Sequence, residues 1–422
     1  MKKFYDPKTG RITSETPAPK TKGCMVYNPR YEPESYIEWA DVERVGMAIR
    51  SAKGGSTQSL FALYRDIVLT DGHIQSELGK RKLSVIGDVM RVIPYDKNDA
   101  NDLAAAEFCE RQIYEMKGWK MALSNLLDGV IWPVSVSEKH FEPASAGFRL
   151  NQVCQVPYYL LDYSTGKLRI KNVGEDGEPS SDCHDPEEGR YIIHRGHLLS
   201  MPDHFGGPMR ALIYWWLAST MSRDWWVRYL ERYGIPFMVG KFTAGANEDR
   251  NILLAAMNQA TRTFGIAISR DTEMELLEAT KTGADVFGAF MSVAQKEKSK
   301  LIVGQTLSST ADATGMGSGV ADLQGDVRED IRKFDGTMLA ETIRDQLLVQ
   351  LCEINRLPGR APYIVFGKAS NAEVDATTKA LAAATAAGLE PDDDALEPIS
   401  ETIGFTLRRS TQPRVPGMFQ QS

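Results

Sequence analysis

The sequence predicts an α+β protein with several lobes and unusually long helices. Three observations predict this class. Helical periodicity fills residues 56–131, apolar and polar residues alternate after Pro133, and two further amphipathic patterns cover residues 209–234 and 320–354. The last pattern would give one helix of roughly 35 residues and about 50 Å, whereas an average globular helix has about 11–12 residues. A chain of 422 residues has room for a large core and more than one lobe.

The composition excludes several classes of protein. A formal net charge of −7 and a pI near 5.6 do not fit a generic basic nucleic-acid binder. The five cysteines are scattered, odd in number and without CxxC spacing, which argues against a disulfide framework or zinc site and favours a reducing cytosol. The N-terminus lacks the apolar core of a signal peptide, and the longest apolar run, at residues 211–221, is about half a membrane span. We therefore expect a soluble protein without a membrane segment.

The first third of the chain predicts an extended arm followed by helices. Residues 1–55 are rich in Pro, Lys, Gly and polar groups, which favours an arm without regular structure. A helical pattern begins at Ser56, breaks at residues 70–72, and leads into a strand that Pro94 stops. Two more helices are predicted at residues 98–118, with Leu103, Ala106, Ile113 and Met116 facing inward, and at residues 119–131.

The segment after Pro133 predicts β-structure. Alternation is clear at residues 134–137, 148–150 and 168–170. Residues 176–189 are acidic and rich in turn formers, so we expect a solvated hairpin loop between two strands there.

An aromatic helix is predicted from Met209 to a C-cap at Gly234. Large side chains recur along two of its faces, which indicates a helix that is buried between neighbours. Those neighbours can be other copies of the chain, because Trp and Tyr are enriched where subunits meet. The predicted subunit contacts are Trp216, Met221, Trp225, Trp226, Tyr229 and Tyr233.

A small β-α-β-β unit is predicted between this helix and the next one. Its segments are a strand at residues 236–242, a helix at 247–263, and strands at 264–269 and 273–279. A helix at residues 285–300 follows it. After the long helix come a break at Pro358–Gly359, a strand at residues 363–366, and an Ala-rich helix at 372–387.

A loop of Gly, Ser, Thr and Ala separates the apolar run at residues 301–303 from the long helix. Its segment Gly315–Gly319 opens a helix, as phosphate-binding loops do, but it lacks the GxxxxGK[ST] arrangement. A flexible hinge or pore loop is the favoured interpretation. The carboxylates at residues 322–335 stabilise a helix N-terminus, and metal binding by these paired acids is the alternative.

No catalytic constellation stands out. His194 and His197 would suit a metal only on a helix, and their surroundings predict a strand and turn. No Ser has the GxSxG context of a nucleophile elbow. The cluster Lys296, Lys298 and Lys300 favours the C-terminus of its own helix, and it could also touch DNA phosphates.

The order of these parts resembles the portal proteins of tailed bacteriophages, specifically the Mu-like portal family. The resemblance is most specific at Tyr233–Phe237 (YGIPF) and at Leu301–Asp335, and it extends more loosely over residues 71–367. It implies a ring, usually of twelve subunits, at one capsid vertex. Terminase pumps DNA through such a ring, and the DNA leaves through it at infection.

The resemblance also implies a portal fold with named parts. It assigns residues 1–55 to an arm, 56–208 to an α/β wing, 209–235 and 281–300 to two stem helices, 236–280 to a small α/β clip, 301–319 to a channel loop, 320–367 to a tunnel helix with the return to the wing, and 368–422 to a short C-terminal helical region with a tail.

Site residues follow from the same resemblance. The implied DNA-channel candidates are Gln305, Thr306, Ser308, Ser309, Thr310, Thr314, Gly315, Gly317, Ser318, Lys296, Lys298 and Lys300. The implied clip residues that face terminase or the connector are Asn247, Glu248, Arg250, Arg262, Arg270 and Asp271.

The implied partners are further copies of the chain, double-stranded DNA, the terminase large subunit, the head–tail connector or adaptor, the major capsid protein and the scaffold. The resemblance implies a virion protein made in the host cytoplasm, without cofactor or catalysis. Two alternatives remain open: a nucleotide- or metal-dependent enzyme that uses the Gly-rich loop, and another structural or adaptor protein of a virion.

Overall fold

The computed structural model describes most of the chain between residues 41 and 389. The described ranges are 41–144, 147–174, 178–196, 202–233, 238–242, 265–269, 283–305, 318–367 and 371–389, with short pieces at 4–6, 11–13, 248, 251–252, 255, 391–392, 395–396 and 399–400. Helices and sheets are mixed along these ranges, as the sequence predicts.

The N-terminal part is mainly helical. Its elements are β1 (Phe4–Asp6), β2 (Arg11–Thr13), α1 (Val42–Lys53), α2 (Gln58–Thr70), α3 (Gly72–Ile86), β3 (Met90–Ile93), α4 (Ala100–Glu115) and α5 (Trp119–Leu126). The predicted helices and the strand before Pro94 are confirmed. The prediction of an extended arm is wrong for residues 42–53, because Asp41 caps α1 through the backbone N–H of Glu43 and the apolar side of that helix is buried.

Two antiparallel sheets follow. The strands are β4 (Ser135–Ala144), β5 (Gly147–Gln155), β6 (Leu161–Asp162), β7 (Arg169–Val173), β8 (Pro179–His184) and β9 (Tyr191–His194), in the orders β5-β4-β9 and β6-β7-β8. Strand β8 lies inside the segment predicted as a solvated loop. It forms because β7 offers it an antiparallel partner, with Ile170 opposite His184, which outweighs the turn-rich composition.

The second half contains the long helices. Its elements are α6 (Met209–Tyr233), β10 (Met238–Phe242), β11 (Gly265–Ser269), α7 (Gly283–Val303), α8 (Ser318–Ile343), a π-helical turn (Arg344–Leu348), α9 (Val349–Ile354), β12 (Tyr363–Phe366) and α10 (Asn371–Ala386). Strands β10 and β11 are parallel, and β12 pairs antiparallel with β3. The predicted strand at residues 273–279 lies outside the described residues.

The long helix is confirmed in length but differs in detail. The chain is helical from Ser318 to Ile354, through a π turn that the regular periodicity of the sequence does not predict. Such turns commonly occur at functional positions of otherwise regular helices. Helix α7 also continues through the apolar run at residues 301–303 and ends where Gly304 adopts a φ of +71°.

One hydrophobic core joins α2, the β4 sheet, the start of α6 and the second half of the long helix. Aromatic rings fill its centre: Phe61 lies 6.2 Å from Trp132, and Trp132 stacks on Tyr158 at 3.7 Å between ring centroids. Burial raises the pKa of Tyr64 and Tyr158, since the phenolate would lose its hydration there. This core fixes one end of α6 and the second half of the long helix.

Candidate functional site

Helices α6 and α7 pack against each other and run antiparallel. Near the end of α6, the ring of Tyr229 lies 6.0 Å from that of Phe287, at the start of α7. Near the other end, Trp216 Nε1 donates to Thr70 Oγ1 (3.2 Å), next to Asp71, which bonds the C-terminal part of α7. Among the described residues, the contacts of the helix pair with the core lie at this second end.

The other end of this pair exposes large apolar side chains. Trp225 is 54% exposed and Val286 is 63% exposed. Trp225 lies three residues after Ser222, the last buried residue described in α6, and Val286 lies eight residues before Ala294, the first buried residue described in α7.

Val227, Leu230 and Val293 are also about half exposed. At about 100° per residue, Val227 and Leu230 lie on the side of α6 opposite Trp225, so these side chains surround the helix instead of forming one stripe. We call the five residues Trp225, Val227, Leu230, Val286 and Val293 together the apolar helix-pair face. Exposed apolar side chains of this kind are candidates for a contact with another molecule.

The predicted subunit-contact residues divide into separate groups. Trp216 is 2% exposed and lies in the core of the subunit, so it is not available for a contact between subunits. Its prediction as an interface residue fails because the same aromatic spacing continues from the anchored part of α6 into the exposed part. Trp225 is exposed, Met221, Trp226 and Tyr229 are half-buried, and the side chain of Tyr233 lies outside the described residues.

The three lysines of α7 also differ in environment. Lys296 and Lys300 are exposed, and Lys300 bonds Glu297 Oε1 at 2.5 Å. Lys298 is only 2% exposed, and its Nζ donates to Asp71 Oδ2 at 2.5 Å. Burial lowers the pKa of Lys298, and the Asp71 carboxylate partly offsets this effect. The expectation that Lys298 faces DNA is therefore not met within the subunit, because its charge is used inside the protein.

Asp71 links two helices through one carboxylate. Its Oδ1 accepts from the backbone N–H groups of His73 and Ile74, which caps α3, while its Oδ2 accepts from Lys298. His73 adds a second link, since its Nε2 lies 2.8 Å from Ser299 Oγ. The break predicted at residues 70–72 is thus also the docking point of α7.

Arg81 holds both ends of the segment that carries the predicted channel loop. Its Nε and Nη2 donate to Asp335 of α8 (2.7 and 2.8 Å), and its Nη1 donates to the carbonyl of Ile302 at the end of α7 (2.7 Å). Asp335 is 1% exposed, so this bidentate pair is shielded from water. We call these three residues the Arg81 clamp.

The loop itself lies mostly outside the described residues. This holds for the channel candidates Thr306, Ser308, Ser309, Thr310, Thr314, Gly315 and Gly317, while Ser318 begins α8. Gln305 is half-buried beside Arg81 and Arg328, and its Oε1 has no hydrogen-bond partner among the described residues. At Gly304, an added Cβ would lie 2.8 Å from Ile331 Cδ1, so the two flanking helices approach closely where the loop leaves α7.

Polar contacts fasten the π turn of the long helix to the β4 sheet. The side chain of Gln346 pairs with both the N–H and the C=O of Ile193 on β9 (2.7 and 2.9 Å), and its own carbonyl accepts from Lys139 Nζ. Lys139 is 1% exposed, and burial lowers its pKa to about 7. The negative charge of Glu188 raises this pKa but does not offset the burial. His194 Nδ1 lies 2.9 Å from Thr342 Oγ1, one turn earlier.

The clip candidates are mostly not described. Glu248 is exposed in a short helical piece, and Asn247, Arg250, Arg262, Arg270 and Asp271 lie outside the described residues. The parallel pairing of β10 with β11 supports the helical connection predicted between them, because parallel strands need a crossover.

The metal, membrane and cysteine predictions concern other parts of the chain. Among the described residues, no group of three or more His, Cys, Asp or Glu side chains could hold a metal ion, and no helix is long and apolar enough to cross a membrane. Cys109 and Cys352 are buried free thiols with sulfurs 3.7 Å apart. Cys154 is disulfide-bonded, which departs from the expectation of reduced cysteines, because pairing depends on proximity in the fold and not on spacing.

The polar residues that position the site are not the ones the sequence singles out. Arg81, Asp71 and Lys139 lie in ordinary amphipathic or alternating patterns, and their partners are 254, 227 and 207 positions away. A polar residue on an otherwise apolar face of a helix or strand is the signal that could have found them, since a buried charge needs a partner. That signal does not identify the partner.

A family model described as the portal protein of Mu bacteriophage matches residues 61–405. The portal protein of Escherichia phage Mu is 25% identical over 355 residues, which cover 80% of this chain and 66% of that protein. A Mu-like prophage protein, FluMu gp29 of Haemophilus influenzae, is 25% identical over 342 residues, covering 78% and 63%. The chain thus matches slightly less than two thirds of the length of these relatives.

Two solved structures share the fold. A chain from the neck of an empty gene transfer agent particle, computed with C6 symmetry, has a TM-score of 0.51 at 12% identity, with 86% of this chain and 94% of that chain covered. A chain from the virion of a native gene transfer agent particle has a TM-score of 0.50 at 12% identity, covering 85% and 99%. At this identity the likeness concerns the fold alone.

Proposed function

We propose, from the premise that this chain belongs to the family of portal proteins of Mu bacteriophage, that it forms a closed ring at one capsid vertex through which genomic DNA enters and leaves the particle. In this proposal the ring has about twelve subunits, terminase drives DNA inward, and a head–tail connector attaches to the same ring. The protein acts as a conduit and as a mechanical joint, without catalysis of its own.

The observation that carries this proposal is the apolar helix-pair face. A subunit that buries Phe61, Trp132 and Trp216 in its core leaves Trp225 and Val286 more than half exposed at the free end of α6 and α7. Burying such a side chain stabilises a contact by about 1.5–3 kcal/mol. A face that must meet a different face of an identical neighbour closes into a ring when the rotation allows it.

The described elements correspond to the parts of a portal subunit as follows. We assign α6 and α7 to the stem, the unit containing β10 and β11 to the clip, and the long helix from Ser318 to Ile354 to the tunnel helix. The core around α2 and the β4 sheet becomes the wing. In this assignment the Arg81 clamp holds the base of the channel loop, and Lys296 and Lys300 are the lysines of α7 that can reach phosphates.

The charge of the chain suits a conduit through which DNA slides. Each Lys or Arg contact with a phosphate adds affinity, and therefore resistance to movement. The chain has a net charge of −7, and its predicted channel loop, at residues 301–319, has one Asp and no basic residue. Burial of Lys298 against Asp71 removes one further cation from the surface of α7.

Imaging of the purified chain tests the proposal. Negative-stain microscopy and native mass spectrometry should show rings of about twelve subunits. The double substitution Trp225→Gln with Leu230→Gln should lower the fraction of chains in rings by tenfold or more, because two apolar side chains leave the contact. The control is Tyr114→Gln on α4, which changes an aromatic residue outside the helix pair that is 68% exposed, against 54% for Trp225.

Two results would refute the proposal. Wild-type protein that stays monomeric at high concentration and together with terminase and scaffold would exclude a ring. Rings that form equally well with and without the double substitution would show that the apolar helix-pair face is not the contact. Thermal unfolding of each variant checks that the subunit itself remains folded.

A further inference from the structure

A groove lies between the two-stranded β3–β12 sheet and the long helix at its π turn. It has a volume of about 940 Å³ and is open to solvent. Strand β12 forms one wall, and α8 with the first residues of the π turn forms the other. Among the described residues, no strand pairs with the outer edge of β12. We call this the β12 groove.

Two guanidinium groups in the β12 groove have unused hydrogen-bond donors. Arg91 on β3 and Arg344 at the start of the π turn both line the groove, and the Nε of each is enclosed by the protein without a hydrogen-bond partner among the described residues. Arg91 also has no ion pair there. Arg344 bonds Asp345 through Nη1 (3.0 Å) and lies 4.5 Å over the ring of Tyr363. The two Nε atoms are closed to an outside ligand, whereas the Nη groups of Arg91 have no hydrogen bond among the described residues and can be reached from the groove. An acceptor from outside that bonds these Nη groups would be favourable.

The other charged groups of the groove do not supply that acceptor. Arg332 already bonds Glu329 (2.5 and 2.8 Å) and Asp88. Lys333 already interacts with another group of the protein, so it is not counted as a free cation of the groove. Glu341 is exposed on the wall of the groove and forms no ion pair with Arg91 or Arg344. The free donors of the groove are therefore the Nη groups of Arg91 and the Nη2 of Arg344, and guanidinium donors of this kind fit carboxylates.

The mouth of the groove has the composition of a protein-binding surface. Tyr363 stacks on Tyr95 with ring centroids 5.4 Å apart, and Arg360 lies 4.0 Å over the other ring of this pair. Both tyrosines are about 40% exposed, and Tyr and Arg are the residues that most often dominate protein contacts.

We propose that the β12 groove binds the acidic segment at residues 390–397 of a second copy of this chain. This segment has five acidic residues in eight positions (EPDDDALE), and half of it, including Asp393 and Asp394, lies outside the described residues. Helix α10, with 16 residues and a length of about 24 Å, separates it from the β12 strand of its own subunit. The inference rests on the proposed ring, in which a neighbour presents a different surface to each subunit.

Charge reversal in both partners tests this contact. Arg91→Glu with Arg344→Glu should raise the subunit concentration needed for half-maximal ring formation about tenfold or more. Reversal of Asp393 and Asp394 to Lys should weaken rings similarly, and the combination of all four substitutions should restore assembly. The control Arg111→Glu with Lys117→Glu makes the same change in net charge at exposed positions and should leave assembly unchanged.

Further arms separate this inference from the proposed function. If the variant with Arg91→Glu and Arg344→Glu does not fold, the milder Arg91→Gln with Arg344→Gln replaces it in the assembly assay. A labelled peptide of residues 389–398 should bind wild-type protein, and its binding should be lost with the arginine pair or when Asp392, Asp393 and Asp394 become Asn. Three results would overturn the inference while leaving the ring intact. The first is that wild-type protein forms rings and neither arginine pair weakens them. The others are that the combined substitutions fail to restore assembly, or that duplex DNA displaces the peptide. Absence of wild-type rings would refute the proposed function instead.

Discussion

Replacing Lys139 with methionine tests how the long helix is held at its π turn. Lys139 is 1% exposed in β4, and its Nζ donates to the carbonyl of Gln346. Burial lowers its pKa from 10.5 to about 7, with Glu188 acting in the opposite direction. Methionine has a similar length and no charge, so the substitution removes the burial cost of the ammonium group and also the hydrogen bond.

The sign of the pH effect follows from the two pKa values of Lys139. Below pH 7 both states hold the proton, so the penalty of burying the charge is fully present. Between about pH 7 and 10.5 the unfolded chain keeps the proton and the folded chain loses it, so the free energy of unfolding rises with pH. At about 1.36 kcal/mol per unit, the penalty is about 4 kcal/mol at pH 7 and falls by about 2 kcal/mol by pH 9.

The unpaired Gln346 carbonyl in the variant costs about 1–3 kcal/mol. The methionine variant should therefore be more stable than wild type by about 1–3 kcal/mol at pH 7, and this advantage should shrink by about 2 kcal/mol at pH 9. Urea unfolding followed by circular dichroism at both pH values measures it. The control is Lys117→Met, at an exposed position. A stability difference that does not change with pH would refute the reasoning, because it would mean that Lys139 keeps an ordinary pKa.

Other substitutions address the anchors of α7 and of the loop, all measured by urea unfolding. Lys298→Ala should destabilise the subunit by about 3–5 kcal/mol, because it leaves the Asp71 carboxylate buried without its cation. Lys296→Ala, two residues away and exposed, should change stability by less than about 0.5 kcal/mol. Gly304→Ala should cost about 1–2 kcal/mol, since φ is +71° there and the new methyl group meets α8. Arg81→Met should cost about 3 kcal/mol or more, because a buried carboxylate loses both of its bonds.

Local signals account for the elements that the sequence predicts well. Asp71 both ends α2 and caps α3, so the break at residues 70–72 is visible in the sequence. Pro94 stops the strand β3, and the regular apolar spacing of residues 320–354 carries the long helix. In these segments local preference and tertiary packing agree, which makes the local pattern sufficient.

Tertiary contacts decide the elements that the sequence mispredicts. Leu103 fits the apolar pattern of α4 but is 42% exposed, while its neighbour Asp102 is buried because Arg360 bonds it from a distant loop. Strand β8 forms in an acidic segment only because β7 is beside it. A single sequence does not indicate which distant residue will contact a given position in the fold.

The candidate site shows the same division. The aromatic ladder of α6 predicts an apolar contact surface, and the structure leaves Trp225 exposed but places Trp216 in the core. The lysines of α7 look equivalent in sequence, yet Lys298 alone meets a carboxylate on another helix. Which member of a repeated pattern is buried depends on where the neighbouring element ends, and this is a property of the fold.

The π turn also sets the rotation between the two ends of the long helix. A π turn contains one residue more than an α-helical turn, so every side chain after Leu348 is rotated by about 100° from its position in an uninterrupted α-helix. Cys352 consequently reaches Cys109 on α4, while Asp335 at the other end reaches Arg81 on α3. The angular phase of the helix is therefore encoded by one inserted residue. Deletion of one residue within 344–348 would restore a regular helix and turn its last segment away from α4.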